Sequence, residues 1–427
     1  MLLSIPCRAL ACLLSFAFIS SFTLLAADPA MSRTVTLAEC LRRVSERSPE
    51  LKAGVYKTEA ADNRAKQAAR RLNPRLQTEI ETVTGSGEAE GFKAAESTVS
   101  FSQEIELGDK RRHRTAAAQA DAAVSRAEEG VKRRELLFDT RRAVLAVLNA
   151  QEQVRLAEEI LALVRETESV VLAREQGGKT TGMETERART DTARAALDVQ
   201  ERQAEQQDSV RELALLWGET DPTFDAVAGT LDIPAAAMPS VDTLVLQAAA
   251  NPALLAADSQ TRAFEAKLRS EEAARLPNLE VAAGVRRLEA SDGFGLIAGV
   301  GFELPLVNRN REAVCAAAAD AEAARLESAA ARLQNEGQLR RLYARLQALA
   351  AKNARLRETA IPSAERVLAL VKQAHEQGKA GYLDVLEARR TLAEARRSVS
   401  DAAIDFHSCR IELDRLSAST AENHTDD

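Results

Sequence analysis

Aromatic side chains make up only 4% of these 427 residues, and Trp217 is the single tryptophan. A thick globular core needs large rings, so their scarcity argues against one. Histidine occurs four times and cysteine five. Cys7 and Cys12 lie in the N-terminal segment, and the three beyond it, Cys40, Cys315 and Cys409, are an odd, widely spaced set that gives neither a disulfide framework nor zinc spacing. His407 and Cys409 stand two apart, too close to share a helix face, and read as ordinary residues, with metal binding as the weaker alternative. Nothing assembles a Ser-His-Asp set, a paired-carboxylate pocket or a metal cluster, so the chain does not read as an enzyme and no cofactor is expected. A net charge of -7 makes nucleic acid a poor partner.

Long apolar runs are absent except at the start, where Ala9 to Leu25 follows the lone charge of Arg8. This reads as an export signal over residues 1–27, the alternative being a membrane anchor at the short limit for a span. Its removal takes the charge to -8, because only Arg8 is lost.

What the chain has is alanine and a repeat. Alanine favours helix and lets backbones approach closely while burying little area. His375 to Arg390, HEQGKAGYLDVLEARR, reads as a hairpin tip between two helices, and Arg174 to Arg189, REQGGKTTGMETERAR, lies over it with Gly178 on Gly378. Pro49 and Pro252, and Pro74 and Pro277, are both 203 positions apart. The chain is read as a tandem duplication, with a first repeat over 28–217, a linker over 218–240, a second repeat over 241–416 and a disordered tail over 417–427.

Each repeat opens with a helix, near 36–72 and 241–275. Past Pro74 the period changes to two: Leu76, Thr78 and Ile80, then Val99, Phe101, Ile105 and Leu107, hold one apolar phase. Val281 and Val285, then Leu296, Val300, Phe302 and Leu304, repeat it. Strands of about ten residues suit a tilted membrane strand, and equally a soluble sheet lying on helices. Lys110 to Gln176 and Arg309 to Gln377 follow as long helical stretches, the second with Pro362 inside, where a kink is expected. The other helices are half as long, so two stacked end to end match one long one. Such walls suit a hollow cylinder of helices or a solid coiled-coil rod, and the strands count against the rod. The linker is expected to form a belt midway along the wall.

GGKTTG at 177–182 lacks the first glycine of a phosphate-binding loop and follows a helix, so nucleotide binding is set aside. The run Lys110 to Arg114 opens a helix, where the dipole disfavours cations, and calls for an external anion; lipid headgroups and plain solvent both qualify.

Export signal, doubled helix-hairpin-helix order and the tip G-K-A-G-Y-L-D-V-L-E together resemble the TolC-type outer-membrane efflux proteins over about Thr36 to Leu416. Leu304-Pro305-Leu306 and Asn308-Arg309-Asn310 are most similar to the cobalt-zinc-cadmium branch. The resemblance implies a mostly helical fold with a small β part: a homotrimer with a periplasmic α-barrel and four strands per chain in a 12-stranded outer-membrane barrel. Leu76, Ile80, Val99, Phe101, Val281, Val285, Leu296, Val300 and Phe302 would then face lipid. It further implies a periplasmic adaptor and an inner-membrane pump of the resistance-nodulation-division type as partners. Gly178, Lys179, Thr180, Gly378, Lys379 and Gly381 would be adaptor contacts, although these glycines also read simply as helix caps. Asp384 and Glu387, three apart after the second tip, would form two rings of carboxylates at the periplasmic constriction. The implied function is a passive exit duct for heavy-metal cations. A multidrug duct of the same family, an exported coiled-coil structural protein and an adhesin are the alternatives, the last disfavoured by short loops.

Overall fold

The computed structural model describes residues 33–87, 92, 94–234 and 238–418. The expected export signal, and the tail beyond Ala418, lie outside the described residues. The first half runs β1 (Thr34–Val35), α1 (Leu37–Arg47), α2 (Pro49–Ala68), β2 (Arg75–Glu81), β3 (Glu96–Ile105), α3 (Lys110–Gln176) and α4 (Gly182–Leu215). The second runs β4 (Ala226–Val227), α5 (Val241–Ala248), α6 (Pro252–Ala274), β5 (Leu279–Leu288), β6 (Gly293–Phe302), α7 (Arg311–Arg355), α8 (Ile361–Glu376) and α9 (Tyr382–Leu416).

The single helices expected over 36–72 and 241–275 are each broken in two. A residue before proline is driven out of the α region by the ring. Ser48 (φ -54°, ψ 124°) and Asn251 (φ -63°, ψ 124°) are accordingly extended, and Pro49 and Pro252 start the next helices. Asn251 makes the break useful: its Oδ1 accepts from Ala253 N at 2.9 Å, and its Nδ2 donates to Leu416 O at 2.8 Å, at the end of α9. The first of these helices also stops at Ala68 rather than Leu72.

The 67-residue α3 passes unbroken through Gly130 and spans about 100 Å at 1.5 Å per residue. Its counterpart begins at Arg311, two residues later than expected, and takes the expected disturbance at Pro362 as a π turn over Leu356–Ala360. Ile361 N donates back five residues to Leu356 O. The wider turn accommodates a ring that cannot donate to the ladder.

The two hairpins join into one antiparallel sheet in the order β2-β3-β5-β6. Leu76 sits opposite Phe101 and Phe101 opposite Ala283; Val99 faces Val285, Val285 faces Leu296, and Val281 faces Val300. Residues directly opposite share a face, so all nine apolar residues singled out in the sequence lie on one side of the sheet. The other side carries Gln77, Glu79, Ser100 and Glu104, then Ala282, Gly284 and Gly299. Leu107 and Leu304 lie beyond the strand ends.

Apolar packing is divided into seams. The largest gathers Val44, Leu136, Val147, Leu213, Trp217 and Phe224. Here β1 pairs parallel with β4, and Gln151 of α3 accepts from Val227 N at 2.9 Å, so the segment after α4 wraps the middle of the long helix. Elsewhere the seams are narrow, as where Ala61 and Ala65 of α2 meet Ala122 of α3. Alanine seams stabilise less per residue than the roughly 1.5–3 kcal/mol of a buried leucine, but allow close helix approach over a great length.

Candidate functional site

Both hairpin tips end their incoming helix in the same way. Gly178 (φ 68°) and Gly378 (φ 74°) adopt the left-handed conformation that ends many helices. Gly178 N donates to Glu175 O at 2.9 Å and Lys179 N to Arg174 O at 2.8 Å; Gly378 N donates to His375 O at 2.9 Å and Lys379 N to Ala374 O at 2.8 Å. A Cβ at Gly178 or Gly378 would meet nothing within 4 Å. Within the chain it is therefore the backbone angle, not crowding, that calls for glycine. Gly381 is different, with an ordinary φ of -81°. Thr180 donates through its hydroxyl to Glu184, and Lys179 and Lys379 lie at the ends of the turns.

Asp384 and Glu387 are both exposed, one turn apart on α9. The Asp384 carboxylate accepts from Gly381 N at 2.8 Å, which caps the start of the helix.

Contacts between the two hairpins, which the sequence reading missed, surround the tips. Arg174 donates to His375 O from one tip to the other. Lys372 meets Glu166 at 2.6 Å, Arg396 meets Glu159 at 2.7 Å, and the Tyr382 hydroxyl donates to Asp191 at 2.8 Å. Burial, followed by the bond to Asp191, pushes the Tyr382 hydroxyl up to about 12. Arg189 pairs with Glu186 one turn away on α4, whereas Arg389 at the corresponding place in the second repeat reaches across to Leu163 O on α3.

At the other end, the apolar face of the sheet is open. Leu296 is 90% exposed, Leu76 71% and Val300 70%; Ile80, Val99, Phe101, Val281, Val285 and Phe302 are exposed as well. A contiguous apolar face of this kind marks a surface meant for an apolar neighbour. On the opposite face Arg286 bridges Glu96 at 2.7 Å and Glu81 at 3.3 Å.

The basic run at the start of α3 differs from expectation. Arg114 binds Glu106 and donates to Ala68 O and Arg70 O at 3.1 Å each, so it closes the end of α2. Lys110 donates to Asn278 at 2.6 Å, and Arg112 pairs with Asp109. These anions and acceptors come from inside the chain, and no external one is needed for them. Cys40 and Cys409 are buried, with the thiols held protonated by burial; His407 is half-buried, and its partial desolvation disfavours the charged form. Among the described residues no group of three or more His, Cys, Asp or Glu could hold a metal ion, and no helix is long and apolar enough to cross a membrane.

The profile described as "Outer membrane efflux protein" matches residues 40–219 and again 244–419. The cobalt-zinc-cadmium resistance protein CzcC of Cupriavidus metallidurans is 28% identical over 364 residues, covering 85% of each chain. The nickel and cobalt resistance protein CnrC of the same organism is 28% identical over 297 residues, 67% of this chain and 69% of that one. Among solved structures, CusC superposes with a TM-score of 0.74 at 17% identity, covering 89% of this chain and 91% of its own. VceC of Vibrio cholerae gives 0.73 at 19%, covering 89% and 95%. These similarities agree with the doubled element order, the open apolar face and the long paired helices. The chain belongs to the outer membrane efflux protein family, whose members are outer-membrane channels with a periplasmic helical extension rather than enzymes.

Proposed function

We propose that the chain is the passive exit duct of a tripartite efflux pump for heavy-metal cations, opened when a periplasmic adaptor and an inner-membrane resistance-nodulation-division type pump dock at its tips. The observation that carries this reading is the four-stranded sheet, whose exposed apolar face comes with two edges, β2 and β6, left unpaired among the described residues. In lipid an unpaired edge is costly, and closure is the remedy. Three copies joined β6 to β2 would make a 12-stranded barrel with Leu76, Ile80, Val99, Phe101, Val281, Val285, Leu296, Val300 and Phe302 toward lipid. The mixed polar and small-residue face would line the pore, and α3, α4 and α7 to α9 would continue as a helical barrel.

The same reading takes the two halves as a duplication, with an export signal over 1–27, repeats over 28–217 and 241–416, an equatorial segment over 218–240 and a tail over 417–427. Gly178, Lys179, Thr180, Gly378, Lys379 and Gly381 form its adaptor contacts. Asp384 and Glu387 form its gate, stacked carboxylate rings that hold cations and repel anions. Heavy metals as cargo rest on the relatives named for cobalt, zinc, cadmium and nickel resistance. The experiment is growth of a deletion strain on zinc, cobalt, cadmium and a panel of drugs. Metal sensitivity alone, restored by the gene, supports the assignment; drug sensitivity without metal sensitivity replaces it with a multidrug duct of the same family.

A further inference from the structure

The four connections between helix and strand all lie at one end of the sheet, since Arg75 at the start of β2 stands opposite Ser102, Ile105 opposite Leu279, and Leu279 opposite Phe302. Arginine is concentrated at that end. Arg70 and Arg71 precede β2, Arg111 lies in the first turn of α3, Arg275 precedes β5, and Arg309 and Arg311 follow β6. All six are exposed, and among the described residues none of their side chains has a hydrogen bond or an ion pair. Their neighbours Lys110, Arg112 and Arg114 are engaged within the chain, as are Glu106, Asp109 and Glu271. That sets the six arginines against Glu272, Glu303 and Glu312, and the balance is positive.

Exposed leucine accompanies arginine at every connection: Leu72, Leu107, Leu276, and Leu304 with Leu306. Leu107 and Leu304 carry the apolar alternation of β3 and β6 past the strand ends. The apolar face therefore passes into a band where apolar side chains and unanswered cations lie together. In such a band an arginine lays its stem along apolar matter and turns its head to polar surroundings. Its guanidinium grips phosphate oxygens through two parallel hydrogen bonds.

We infer that this end of the sheet is a collar for anionic phospholipids of the adjoining leaflet. Headgroup phosphodiesters sit on the six arginines, and the first acyl carbons lie against Leu72, Leu107, Leu304 and Leu306. A zwitterionic headgroup brings its own cation to a positive surface, and a soluble phosphate leaves the leucines uncovered; an anionic lipid answers both features. The inference rests on the proposed embedding of the sheet in lipid.

The test is full-length protein in nanodiscs of equal parts dioleoylphosphatidylglycerol and dioleoylphosphatidylcholine, with retained lipids counted by native mass spectrometry. Phosphatidylglycerol should be preferred roughly fivefold or more, the worth of one arginine at a charged surface, and less so when the nanodiscs are equilibrated in high salt. Arg111→Gln, Arg309→Gln and Arg311→Gln together should lower that preference, as should Arg70→Gln, Arg71→Gln and Arg275→Gln together; either set carries the test if the other does not fold. Lysine at the same positions should keep most of the preference, and Arg47→Gln, Arg187→Gln and Arg194→Gln, remote from the sheet, should leave it unchanged. Equal retention of the two lipids, an unchanged preference in the folded glutamine sets, an equal loss in the remote set, or displacement of the lipid by soluble glycerol phosphate overturns the collar and leaves the embedding of the sheet standing. Failure of the native chain to enter the bilayer overturns both.

Discussion

Replacing Gly378 by alanine isolates one physical effect. The residue sits at φ 74°, and a Cβ there would touch nothing within 4 Å. The cost is then the left-handed backbone alone, about 1–2 kcal/mol for a residue with a Cβ, and less for asparagine, which tolerates that region. Gly381, three residues on, serves as the control: its φ is -81°, and a Cβ would lie 3.6 Å from Asp384 Oδ2, an ordinary contact. The strain falls on the bonds from Gly378 N to His375 O and from Lys379 N to Ala374 O. Amide hydrogen exchange at the tip reads it directly, since the free energy of local opening sets the protection. Gly378→Ala should exchange roughly five- to thirtyfold faster there, the factor for 1–2 kcal/mol. Gly378→Asn should show a smaller change and Gly381→Ala almost none. Equal effects at 378 and 381 would show that chain entropy, not the positive φ, decides the tip, and would refute the argument.

At Gly284 a Cβ would fall 2.7 Å from Val99 O and 2.9 Å from Ser100 Cα, backbone atoms that cannot step aside. Gly284→Ala should cost about 1–3 kcal/mol and reduce folded protein in outer-membrane extracts, whereas Gly295→Ala, with open space around it, should be silent. Tyr382→Phe removes the bond to Asp191, worth about 1.5–3 kcal/mol, and should speed amide exchange in the first turns of α9. Raising the pH to 9 should not have that effect: a phenol pushed up to about 12 contributes its full stability below its ordinary value of 10.0 and loses it only as pH climbs toward 12. Asp384→Asn together with Glu387→Gln should lower cation preference and block by multivalent cations in planar bilayers. Asparagine can still accept from Gly381 N, so unchanged selectivity would count against the gate rather than against folding.

Much of the architecture was legible because it is periodic. The two-residue alternation of Leu76, Ile80, Val99, Phe101, Val281 and Val300 gives the face of every strand, and left-handed glycines mark both tips. What escaped the sequence was non-local or stereochemical. Pro49 and Pro252 were visible as a repeat, but their effect on Ser48 and Asn251 depends on local sterics, and the fold uses that break to tie Asn251 to Leu416. Arg114 lies in a run of five basic residues that looks like a surface patch; its acceptors, Glu106 and the carbonyls of Ala68 and Arg70, come together only once the hairpin turns back.

The central claim is that this sheet is part of a closed barrel in lipid, and β6 tests it directly. In a variant with Cys40, Cys315 and Cys409 replaced, single cysteines from Phe294 to Phe302 would carry nitroxide labels in reconstituted protein, with collision by oxygen and by a water-soluble nickel complex as the readout. The account predicts oxygen-accessible, nickel-shielded labels at 296, 298 and 300, alternating with the reverse at 297 and 299. Uniform nickel access along the strand, or the opposite phase, would contradict it.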